Sequence, residues 1–292
     1  MTEIGEIIKG SEFFPSSLEI CKPEVKKLFY LGNLDLLHKK KLGIVGPRIM
    51  SQYADQVLEA FFEQGKNSDL ITVSGLARGV DQKCHTLSLK YNIPTIAVLG
   101  GGIRRYLKTS DRHLILEIIE KGGLILSEFE ADFEPTKWSF PMRNRIIAGL
   151  SDSIFLPEAR EGSGSLITVD YALNMKKPVF VAPNQLFTPN ALGSNQLLSG
   201  GKCQLLSNFS QILEIFNMRG VGQFRDKLDE ILKSLTDTEK QVFQLVQRYH
   251  NQELSTRNIP GDLDFGNIIM CLTMLEMKGI IRQSGPGMYI VS

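Results

Sequence analysis

Six short apolar runs, alternating with helix-like segments, constrain this 292-residue chain more than any other feature. They read KLGIVG to Gly46, DLITVSG to Gly75, PTIAVLGGG to Gly102, GGLILSE to near Glu128, DSIFLPEA to near Ala159 and KPVFVAPN to near Asn184. The runs are continuous rather than alternating, which is how strands buried on both faces read. Between them lie amphipathic stretches such as SQYADQVLEAFFEQG and SDRHLILEIIEKGG, with apolar residues at helical spacing. This alternation predicts an α/β fold with a doubly wound, mostly parallel sheet over residues 42–218.

The flanks differ. Residues 1–41 read as a short N-terminal extension. After about Met218 the rhythm changes, and RGVGQFRDKLDE reads as a linker entering a helix. TDTEKQVFQLVQRY, LSTRNIP and FGNIIMCLTMLEMKG then read as helix, short helix and helix, followed by a hairpin turning at GPG. Three helices closed by a hairpin outline a small winged-helix domain over 219–292. Thr236 or Asp237, followed by Glu239 and Lys240, marks the start of its first helix.

Composition narrows the function. Thirty-three Lys and Arg against 32 Asp and Glu leave a formal charge of +1, so the chain lacks the overall basicity of a strong nucleic-acid binder. A confined basic cleft is still compatible with that balance. Cys21, Cys84, Cys203 and Cys271 lack metal-ligand spacing and read as reduced, mostly buried thiols of a cytosolic protein. The N-terminus has early acids and no signal-peptide pattern. No run reaches the ~18 apolar residues of a membrane span.

In a doubly wound sheet, ligands bind beyond the carboxyl ends of the strands. The turns at those ends are GPR, SGLARG, LGGGIRR, EAREGSGS and APNQ. The first turn lacks G-x-G-x-x-G, so no dinucleotide cofactor is expected. Gly46 and Arg48 there suit a phosphate at a helix mouth, and equally a structural cap. Asp81 reads either as part of the edge or as a helix-start carboxylate. Arg104, Arg105, Lys108 and Arg112, with Tyr106 among them, suit a polyanion or a solvated loop. EAREGSGS opening onto a helix has the form of a phosphate cradle, although no Walker A Gly-Lys-Ser/Thr follows. In FPMRNRIIAGLSD, Arg143 and Arg145 stand where a helix begins, the end at which its dipole disfavours cations. Either an inward carboxylate or an incoming anion answers that charge, and Glu128 or Glu158 could hold Arg145 from inside. No catalytic dyad, triad or metal motif is visible.

GIVGPR, SGLARGVDQKCH, TIAVLGGG, GGLILSE, FPMRNRIIAGLSD, EGSGSLITVDYAL and PVFVAP, in that order, resemble the DprA/Smf family of bacterial DNA-processing proteins over roughly residues 13–206. The resemblance implies an extended Rossmann-like domain without enzymatic activity or cofactor. It also implies single-stranded DNA binding, a homodimer, and loading of the RecA recombinase in natural transformation. By position it assigns Arg48, Phe140, Arg143, Asn144, Arg145, Gly162, Ser163, Gly164 and Ser165 to the DNA site and puts Lys108 near a second basic position of it; Gly46, Arg78 and Arg105, in the same strand-end turns, are expected at that site too. Lys202 stands where the family usually has Ala and is expected to add charge to it. Phe140 or Tyr106 would supply base stacking beside the cations. Pro47 replaces a usual Ser and costs that turn one N–H donor.

Two rivals follow from the same residues. Nucleotide phosphoribohydrolases on a related fold use a loop that places Thr168 where their catalytic glutamate stands, leaving Glu158 or Asp170 as substitutes. A duplex-DNA regulator would read bases with FGNIIMCLTMLEMKG, but that segment is mostly apolar with Lys278 its only cation, so the tail reads better as a protein-interaction or dimer-supporting module.

Overall fold

The computed structural model describes residues 3–66, 68–216, 234–249 and 265–291. The chain divides into two compact units, Met1–Met218 and Arg219–Ser292.

In the first unit, the segment read as an extension supplies two strands, Gly5–Ile8 (β1) and Lys27–Gly32 (β2). The six runs form Leu42–Ile44 (β3), Thr72–Ser74 (β4), Thr95–Leu99 (β5), Leu124–Ser127 (β6), Ser153–Leu156 (β7) and Val179–Val181 (β8), every residue buried. Gln204–Leu205 (β9) closes the far edge. The order is β1-β2-β6-β5-β4-β3-β7-β8-β9. Pairing is antiparallel at β1/β2 and β2/β6 and parallel from β6 through to β9.

Alternation along β5 shows why the runs are continuous. Ile96 and Val98 join one core with Ile146, Ile147 and Val169, while Ala97 and Leu99 join another with Leu76, Leu89, Ile115 and Ile118. Helices cover both faces, so neither set of side chains can be polar. The helices that matter for the site are Gln52–Gly65 (α1), Val80–Lys90 (α2), Ile103–Tyr106 (α3), Arg112–Glu120 (α4), Ser139–Leu150 (α5) and Gly164–Asn174 (α6). The chain steps from β3 outward to β4, β5 and β6, then returns to place β7 on the other side of β3. The order therefore reverses between β3 and β7, where a doubly wound sheet leaves a crevice at its carboxyl edge.

The second unit has its own core, with Leu235, Val242, Phe243 and Val246 against Ile268, Leu272 and Leu275. Thr236 caps the helix Asp237–Arg248: its hydroxyl accepts from Glu239 N at 3.2 Å while Glu239 Oε2 accepts from Thr236 N at 2.8 Å. A helix over Phe265–Met277 and a hairpin of Ile281–Gly285 with Met288–Val291 follow. The short helix expected in LSTRNIP lies outside the described residues.

Candidate functional site

A cavity of about 380 Å³ opens at the crevice between the β3 and β7 turns. Gly46 and Arg48 line it from the turn after β3, Ser163 from the turn after β7, and Gly164 and Ser165 from the first turn of α6. Lys137, Phe140, Arg143 and Asn144 line it from α5 and the residues just before, with Asp81 contributed by α2.

Arg48 is exposed, and its guanidinium carbon lies 5.3 Å from the centroid of the half-buried Phe140 ring, a cation–π contact. The ring fits because Gly100 lacks a side chain; a Cβ there would come within 2.8 Å of Phe140 Cδ1. Phe140 is thus a cavity wall with an accessible face. Tyr106, the other stacking candidate, is buried and unavailable.

On the facing side, the Ser163 hydroxyl caps α6, accepting from Ser165 N at 3.4 Å and bonding Ser165 Oγ at 2.8 Å. The positive end of the α6 dipole opens on the cavity, a favourable place for an anion. Asn144 Nδ2 donates to the Gly164 carbonyl at 3.2 Å and fixes this loop to α5. Gly162 holds the loop with φ +70° but does not line the cavity.

The two arginines of FPMRNR part company. Helix α5 begins at Ser139, so both stand past its first turn, where the dipole penalty has faded. Arg143 lines the cavity, yet it is buried. Its Nη1 donates to the carbonyls of Gly75 and Val98, and its Nε to Asn144 Oδ1 at 3.1 Å. It pins α5 to the ends of β4 and β5. A Cβ on Gly75 would come within 2.5 Å of its guanidinium. Asp81 accepts from Gly75 N at 3.1 Å. Burial pushes its carboxyl up to about 6, against the opposing pull of Arg143.

Arg145 departs from the expectation that it faces DNA. It is wholly buried, donating to Glu128 Oε1 at 2.6 Å, to the Pro23 carbonyl at 2.8 Å and to the Met142 carbonyl at 2.7 Å. Of the two inward partners foreseen, Glu128 holds it. Glu158 is wholly buried and accepts from Ser51 N at 2.7 Å and Ser51 Oγ at 2.6 Å, fixing the start of α1.

The other expected cations lie elsewhere. Arg78 is exposed and outside the cavity lining. Arg105 lies 2.6 Å from Glu134, in an ion pair without hydrogen-bond geometry. Lys108 lies 3.5 Å from Asp132, which also pairs with Arg104 at 2.5 Å. These exposed pairs are weak and can yield to a competing anion. Lys202 is a clear correction. It precedes β9 and borders a second cavity with Lys176 and Pro178, which precede β8. Those strands are parallel, so Lys202 sits at the amino edge of the sheet, opposite the crevice.

Lys137 lies outside the FPMRNR motif and carries no signal of its own in the sequence. Locating the start of α5 would have found it, since the residues just before a helix share its mouth. Among the described residues Asp81 is the only carboxylate that lines the cavity, and no group of three or more His, Cys, Asp or Glu is placed to hold a metal. The cavity offers cations, small donors and one aromatic face, an anion-binding set with no acid–base pair.

The family model of DNA recombination-mediator protein A matches residues 6–217. Protein Smf of Escherichia coli is 36% identical over 204 residues, 70% of this chain and 54% of that protein. DNA processing protein DprA of Bacillus subtilis is 37% identical over 199 residues, 68% of this chain and 67% of that one. The chain thus spans between half and two thirds of the length of these relatives. The X-ray structure of DprA from Streptococcus pneumoniae superposes with a TM-score of 0.68 at 32% identity, covering 74% of this chain and 76% of that chain. A structure of DNA processing protein A from Helicobacter pylori, described by its single-stranded DNA binding mode, gives 0.64 at 30% identity, with 74% and 97% covered.

Proposed function

The chain belongs to the DNA recombination-mediator protein A family, also called DprA/Smf, and on that premise we propose that it binds single-stranded DNA in the crevice cavity. The observation that carries the reading is Arg48 lying over Phe140, opposite the N-terminus of α6. An arginine and a helix N-terminus both favour phosphate, and an accessible ring beside them favours an unpaired base. The Helicobacter pylori relative, named for single-stranded DNA binding, supports the same class of ligand.

The family's description as a recombination mediator supports a further role. In it the protein protects incoming single strands in the cytoplasm and passes them to RecA, acting as a homodimer during natural transformation. The second unit is read as a winged-helix domain that serves protein contacts. This is a binding function. The hydrolase alternative would need Glu158 or Asp170 at the cavity, but Glu158 is spent on Ser51 and Asp170 lies outside the lining, while the lining carboxylate Asp81 is buried and held by Gly75 N.

The test is a titration of labelled oligo-dT against wild type and Arg48→Ala in rising salt. A single strand loses affinity with a slope of about −0.7 per neutralised phosphate. The expected result is a steep slope for wild type and weaker binding with a shallower slope for the variant. Equal affinities or a flat salt dependence would refute the site.

A further inference from the structure

We propose that Trp138, backed by Phe129 and Phe133, is a second stacking platform that takes an unpaired nucleobase just outside the cavity. The inference rests on the single-stranded DNA reading and extends it to a site that the cavity does not include.

Phe129 and Phe133 stack on each other with ring centroids 4.6 Å apart and an interplanar angle of 13°. The Trp138 indole meets both edge-on, at 5.7 Å and 5.8 Å. Two aromatic neighbours would ordinarily belong to a core, yet 54% of Trp138 remains open to solvent. An exposed large aromatic is the informative exception to burial, and here it has fixed support behind it.

Its position is set by α5. Trp138 is the residue immediately before the first residue of α5, and nearby Lys137 and Phe140 both line the cavity. A strand with one base on Phe140 and its phosphate near Lys137 reaches the indole next. The mounting is rigid. Gly102 N donates to the Phe133 carbonyl at 2.9 Å, Arg105 N to the Ala131 carbonyl at 3.1 Å, and Ser139 Oγ to the Gly100 carbonyl at 2.5 Å. A platform held this way loses little freedom on binding.

The loop's acids do not exclude a polyanion. Glu130 pairs with Lys27 at 2.8 Å, Asp132 with Arg104 at 2.5 Å and Glu134 with Arg105 at 2.6 Å. Their charge is already offset, and the indole face presents no charge. Stacking on such a face favours a base free of a duplex, because paired bases already stack on one another.

Trp138 is the only tryptophan in the chain, so the indole emission reports on this site alone. Oligo-dT and an abasic strand of equal length are titrated against wild type, Trp138→Ala and Trp138→Phe. Expected are quenching of wild-type emission by oligo-dT and about fivefold or more weaker oligo-dT binding by Trp138→Ala, the lower end of what one stacked base contributes. The salt slope should be unchanged, affinity largely restored in Trp138→Phe, and the abasic strand bound equally by all three. Binding of oligo-dT with unquenched emission, or with equal affinity in Trp138→Ala, overturns this proposal alone. Failure of wild type to bind any single strand overturns the underlying reading and this one with it.

Discussion

Arg145 Nη2 donates to Glu128 Oε1 at 2.6 Å, and that bond turns the second arginine of FPMRNR away from the cavity. The same guanidinium reaches the Pro23 carbonyl, so it joins α5, the turn after β6 and the N-terminal segment. Arg145→Ala would strand Glu128 beside a buried void. Removing one partner of a fully buried pair costs about 3–5 kcal/mol, and because the Glu128 side chain keeps 18% of its surface in solvent the loss is expected at the low end of that range. Urea unfolding should show that loss in the first unit, while the folded fraction keeps its affinity for oligo-dT. Weakened binding with unchanged stability would place Arg145 at the ligand instead.

Arg48 and Phe140 should separate by salt. Arg48→Ala removes a phosphate contact and should lower the salt slope by about 0.7. Phe140→Ala removes a stacked base, worth about 1–3 kcal/mol, and should leave the slope alone. Gly100→Val tests the ring indirectly: its side chain would collide with Phe140, 2.8 Å from the first added carbon. Its binding should resemble that of Phe140→Ala. A wild-type affinity in Gly100→Val would mean the ring position is not what binding requires.

Asp81 gives the site a pH dependence of definite sign. Burial raises its carboxyl to about 6, above the ordinary value near ~3.9. Below about pH 6 the group is neutral and no longer opposes a phosphate in the cavity. Oligo-dT affinity should therefore rise as pH falls through that value. The effect on folding has the same direction: the folded state takes up this proton first, so the contribution is full below the unfolded pKa and lost as pH rises through about 6. Asp81→Asn should bind at neutral pH as wild type binds in mild acid, with the pH dependence flattened. An unchanged pH profile in the variant would remove Asp81 from the site.

The strands were legible because burial on both faces forces a continuous apolar run, as in Thr95–Leu99. The edge at which ligands gather followed from strand direction, which pointed to the turns of Arg48 and Ser163, whereas Phe140 came only with the family resemblance. Two things were not legible. Whether an arginine faces in or out depends on a partner distant in sequence; Arg145 meets Glu128 and Pro23 only after the sheet has formed. The second is which cations already have partners. GGGIRRYLK reads equally as a polyanion site or a solvated basic loop, but Asp132 and Glu134 come from the turn after β6 to meet it.

Lys202 supplies the remaining prediction, because charge alone would place it in the site while topology removes it. It precedes β9, and β9 runs parallel to β8, so its backbone lies at the amino edge of the sheet. The crevice lies at the carboxyl edge, past the length of the strands. An exposed charge acting over such a span is weakened by screening, since the Debye length at physiological ionic strength is about 8 Å. Lys202→Ala should thus leave oligo-dT affinity within about twofold of wild type and the salt slope unchanged, when measured near that ionic strength. Lys202→Glu, which reverses the charge, should do the same. A loss of tenfold in either variant would show that the strand passes around the sheet to its opposite edge, a longer path than the crevice alone provides.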